Sequence, residues 1–88
     1  MTPAERQTRA RVWALYPGAV LRLVSVSDGR AAVQLTGQGG TWQTTYAPAA
    51  TLAEAWAHAA ADLRADAERE LAAMAARVDR IGKALEVE

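Results

Sequence analysis

Val20-Leu21-Arg22-Leu23-Val24-Ser25-Val26-Ser27-Asp28-Gly29-Arg30-Ala31-Ala32-Val33-Gln34-Leu35-Thr36 is the stretch that decides the fold. β-branched and leucine residues repeat with a period of two on either side of an Asp-Gly pair, the pattern of two antiparallel strands joined by a tight turn. Val20 to Val26 is the first strand, Ser27 to Arg30 the turn and Ala31 to Thr36 the return. Gly37-Gln38-Gly39-Gly40 forms a second turn, and Thr41 to Tyr46 a third strand. With loops of two and four residues, one sheet face carries Val20, Val24, Val26, Ala31, Val33, Leu35, Trp42, Thr44 and Tyr46 and is expected to be the core. The other face then shows Leu21, Leu23, Ser25, Gln34, Thr36, Thr41, Gln43 and Thr45; an odd second loop would turn Trp42 and Tyr46 outward.

Outward from the meander, both flanks read as helices. Thr2-Pro3-Ala4-Glu5 puts a hydroxyl at the N-cap, Pro at the first helical position and Glu where it reaches back to the cap. That helix is expected from Pro3 to Tyr16, where Pro17 and Gly18 end it. Thr51-Leu52-Ala53-Glu54 repeats the capping pattern, and no Gly or Pro follows before Gly82, so a second helix is expected from Leu52 to at least Ile81. The fold class is therefore α+β, in the order helix, three-stranded antiparallel meander, long helix (αβββα).

This order is similar to that of double-stranded RNA-binding domains. Those domains meet phosphates with a Lys cluster at the head of the last helix. Here Thr51-Leu52-Ala53-Glu54-Ala55-Trp56-Ala57-His58 has no Lys and begins with an acid, so the likeness is one of element order alone.

Composition bounds what such a domain does. In 88 residues the core is thin: 51% of the chain is hydrophobic, but 22 residues are Ala and there is no Phe. The absence of Cys excludes disulfides and thiolate chemistry. No secretory pattern opens the sequence and no apolar run is long enough to span a bilayer, so a cytoplasmic protein without membrane contact is expected. Charge is balanced overall, with ten basic and ten acidic residues, but the first 50 residues are net basic and the remainder net acidic.

Few residues suggest chemistry. His58 stands one turn from Glu54 and one turn from Asp62, a spacing at which carboxylates and imidazole coordinate Zn²⁺ or poise a base. No convergent group on another element supports it, so the stripe reads as solvated surface and neither metal nor cofactor is assigned. The Gly37–Gly40 cluster lacks the Lys-Ser/Thr and following helix of a phosphate loop. Arg6, Arg9 and Arg11 on the first helix, with Gln34 and Gln43 on the sheet, are the candidate contacts to a partner or to nucleic acid.

The most informative feature is the length of the last helix. From Leu52 to about Val87 it would extend roughly 54 Å at 1.5 Å per residue, against a domain roughly 30 Å across. Leu71, Met74, Val78, Ile81 and Leu85 recur at spacings of 3, 4, 3 and 4, a heptad seam flanked by the small residues Ala75, Gly82 and Ala84. Residues 1–63 are thus expected to form the compact domain, including the first half of the last helix, and residues 64–88 a helical dimerisation segment. The function expected is that of a non-enzymatic interaction or regulatory protein, such as a phage or mobile-element accessory protein, that forms a homodimer and holds a protein partner. The alternative is a DNA-binding regulator that uses the basic first helix and the polar sheet face.

Overall fold

The computed structural model describes residues 1–87; Glu88, the end of the 64–88 segment, lies outside them. Helix α1 spans Pro3–Leu15, strands β1, β2 and β3 span Val20–Ser25, Ala31–Thr36 and Gln43–Thr45, and helix α2 spans Leu52–Leu85. The strands form one antiparallel sheet in the order β1-β2-β3. The expected αβββα architecture is the one observed.

Both helices start where their caps predict. The Thr2 hydroxyl accepts from the Glu5 amide and the Thr51 hydroxyl from the Glu54 amide, each at 3.2 Å, which satisfies donors that a helix N-terminus leaves free. Helix α1 closes with the Tyr16 amide donating to the Val12 carbonyl, and Gly18 at φ +85° turns the chain into β1.

Both helices cover one face of the sheet. Val12 of α1, Val33 and Leu35 of β2, Tyr46 and Ala49 of the segment after β3, and Ala55, Trp56, Ala59 and Leu63 of α2 form a single core, with Leu21 packed against its rim. Buried Thr8 returns its hydroxyl to the Ala4 carbonyl at 2.7 Å and also lies 3.4 Å from the Trp56 carbonyl.

The sheet register corrects the expectation for β1. Leu21 pairs with Leu35 and Leu23 with Val33, so the leucines face the helices, while Val20, Val24 and Val26 lie on the open face with Arg22. The cause is the first turn. Its closing pair is Val26 and Arg30, whose backbone bond is 2.9 Å, so the loop holds three residues, Ser27–Gly29, with Asp28 and Gly29 both at positive φ. A loop one residue longer exchanges the two faces of the strand. The expected register would also have turned Arg22 toward the helices, burying an unpaired charge at high cost. The second loop is even, as expected: Gly37 pairs with Trp42 around residues 38–41, and Trp42, Thr44 and Tyr46 stay on the helix side.

Helix α2 is continuous. Its 34 residues extend about 51 Å, and the molecule measures 63 × 27 × 21 Å. Its last buried residue is Leu63; Ala65, Asp66 and Ala67 are half-buried, and every described residue from Glu68 onward is exposed. None of the described helices is long and apolar enough to cross a membrane.

Candidate functional site

The seam residues fall on one stripe of the overhanging part of α2. Leu71, Met74, Val78, Ile81 and Leu85 are between 51% and 83% exposed, and they form a row that no other described part of the chain covers. The ion pairs Asp79–Lys83, at 3.2 Å, and Arg64–Glu68, at 3.1 Å, involve none of these five residues. Gly82 sits beside it with open space where a Cβ would be. A glycine inside a helix costs about 1 kcal/mol relative to alanine, and no other described residue approaches Gly82 closely enough to require one.

The five candidate contact residues do not share a surface. Arg9 donates to Glu5 at 3.0 Å, and its guanidinium carbon lies 5.4 Å from the centre of the Trp56 ring. Arg11 donates at 2.7 Å to the Ala60 carbonyl, tying α1 to α2. Arg6 is exposed. Gln34 and Gln43 belong to the face of the sheet turned away from the helices, in rows with Arg22, Thr45 and Thr36, and Gln34 donates to the Thr45 hydroxyl at 3.4 Å. That face therefore combines Arg22, Gln34, Gln43, Thr36 and Thr45 with Val20, Val24 and Val26.

His58 has a structural contact. Its Nδ1 lies 2.9 Å from the Ala47 carbonyl, which fastens the irregular segment after β3 to α2. Among the described residues no three side chains of ligand type converge in a metal-binding arrangement.

Two features escape a reading by pattern. Trp13, on α1, is 81% exposed, and with Val12, Tyr16, Ala19 and Leu21 it lines a shallow cleft where α1 meets β1. The second is a cleft of about 270 Å³ between β3 and the helices, lined by Tyr16, Leu35, Trp42, Thr44, Tyr46 and Asp66. Tyr16 and Trp42 meet edge to face, with centroids 5.2 Å apart and planes at 65°. The Tyr16 hydroxyl donates to Asp66 Oδ2 at 3.3 Å, and Arg69 pairs with Asp66 Oδ1. Burial and then the Asp66 carboxylate raise the Tyr16 pKa. Tyr46 is pushed up to about 12, by burial first and then by Asp66, Tyr16 and Asp62. Aromatic residues just past α1, just before β3 and just after it carry no periodic signal that joins them; only the fold brings them together.

Comparison with family models, with curated proteins and with solved structures finds no match to this chain.

Proposed function

We propose that this is a non-enzymatic interaction protein that self-associates through the overhanging half of α2 and holds a macromolecular partner on its globular end. The observation that carries the reading is the uncovered row Leu71, Met74, Val78, Ile81 and Leu85. Water is a poor neighbour for a continuous apolar stripe, and a second copy of the same helix is the partner always present at matching concentration. Gly82 supports close approach of that second helix, because its missing side chain serves no contact among the described residues. At the globular end, exposed Trp13 is of the residue type most enriched at the energetic centres of protein interfaces.

Sedimentation of the full-length protein tests the self-association. A dimer is expected, and Val78→Asp or Ile81→Asp is expected to dissociate it, because each places an unpaired charge in the seam. A full-length chain that stays monomeric at high micromolar concentration overturns the reading.

A further inference from the structure

The cleft beside β3 is built more deliberately than a gap in a thin core. Trp42 and Tyr16 form a corner of two rings, Tyr46 adds a third aromatic wall, and Asp66 closes the side nearest α2. Trp42 holds its place although it is 41% exposed, because its ring lies across Gly37, the residue opposite it just past the end of β2. An adjoining cleft, lined by Thr44, Thr45, Tyr46, Asp62, Ala65, Asp66 and Arg69, leads away along α2 and brings a second carboxylate to the site. Asp62 and Asp66 outweigh Arg69 in the charge facing the rings. The raised pKa values of Tyr16 and Tyr46 report the same negative field on top of burial.

We propose that this cleft binds a quaternary ammonium group. Aromatic faces attract a cation through their quadrupoles, and a nearby carboxylate strengthens the attraction in a partly desolvated site. The choice of a fully alkylated ammonium follows from the hydrogen bonding. Both oxygens of Asp66 already have donors, the Tyr16 hydroxyl on Oδ2 and Arg69 on Oδ1. Each oxygen keeps a further lone pair, so a guanidinium or primary ammonium, with three or more N–H donors to satisfy, would have to share acceptors that are already engaged. A trimethylammonium group has none to satisfy and needs only ring faces and negative potential. This site lies on the globular body and does not depend on the seam of α2.

The test is a titration of full-length protein carrying ¹⁵N-labelled tryptophan, in which each indole N–H gives its own NMR signal and Trp42→Phe assigns that of Trp42. Ionic strength is held constant. Tetramethylammonium is expected to shift the Trp42 signal saturably while Trp13 and Trp56 stay in place, which also reports an intact fold. Asp66→Asn is expected to weaken binding about tenfold, and Tyr46→Leu to abolish it. Choline and a peptide bearing trimethyllysine separate the sources: tighter binding by the peptide assigns a protein-borne group, and equal or tighter binding by choline a free one. An equal shift with neutral tert-butanol, tighter binding of methylguanidinium, or no saturable shift overturns the proposal. Repeating the titration on Ile81→Asp keeps the result separate from self-association.

Discussion

The indole of Trp42 lies across the α-carbon of Gly37, its hydrogen-bonded partner across the second turn, so that a Cβ at position 37 would overlap Nε1, Cε2 and Cδ1 of the ring. Gly37 has an ordinary φ of −67°, so the position requires glycine for space and not for backbone freedom. Gly37→Ala is therefore expected to cost about 1–3 kcal/mol, the range for overpacking a fitted site. In a double-mutant cycle with Trp42→Ala most of that cost should vanish, since the methyl then has room. Denaturant unfolding of the four proteins measures it, and additive losses would show that the contact is not the cause.

Much of the fold was legible because its signals are local. Thr2 and Thr51 announce their helices by chemistry confined to four residues, and Pro17 with Gly18 ends the first within a turn. The face of β1 was not legible from apolar alternation, because Val20, Leu21, Leu23, Val24 and Val26 supply apolar residues of both parities. The one charged residue in the strand, Arg22, marks the solvent face correctly; a charge is far costlier to bury than a valine is to expose. For the site, the seam of α2 was visible as a heptad, whereas the cleft around Trp42 joins residues up to 50 positions apart, as the Tyr16–Asp66 hydrogen bond does.

Alkaline pH should destabilise the protein through Tyr46. Its folded pKa of about 12 lies above the ordinary value of 10.0, so between those values the unfolded chain releases a proton that the folded chain retains. Stability present below pH 10 is then lost progressively as pH rises toward 12. Tyr16 is shifted in the same direction and adds to the effect. Ultraviolet titration of the phenols, with denaturant midpoints across the same range, checks both; a Tyr46 that ionises near 10 in the folded protein contradicts the burial that raises it.

Arg9 and Arg11 should contribute to stability and Arg6 should not. Arg11→Ala removes the donor to the Ala60 carbonyl and Arg9→Ala the cation over Trp56, for which a loss of about 1 kcal/mol each is expected. Arg6→Ala should lie within about 0.5 kcal/mol of the parent, as surface changes do. The distinction matters for nucleic-acid binding. If the alternative of a DNA-binding regulator holds, Arg6→Ala lowers the salt slope of binding by about one without altering the fold, and absence of retention on DNA or RNA at low salt removes that alternative.

The outer half of α2 should owe its order to association. From Glu68 to Leu85 the helix has 18 residues without a buried side chain. Such a segment gains little helical stability in water by itself, because nucleation is costly and most helical stability in a folded protein comes from packing. Attachment to the packed stretch up to Leu63 removes the nucleation cost but gives no tertiary contact, so in a monomer the helix frays from its C-terminal end. Burial of Leu71, Met74, Val78, Ile81 and Leu85 against a second copy would hold it. Amide hydrogen exchange should therefore show protection at residues 68–85 that rises with protein concentration, while protection at residues 55–63 stays constant. In Val78→Asp the outer protection should be low at every concentration and the inner unchanged. Strong, concentration-independent protection beyond Glu68 in a protein that sediments as a monomer would mean that the outer helix is stabilised within its own chain, and the seam would then have no role in assembly.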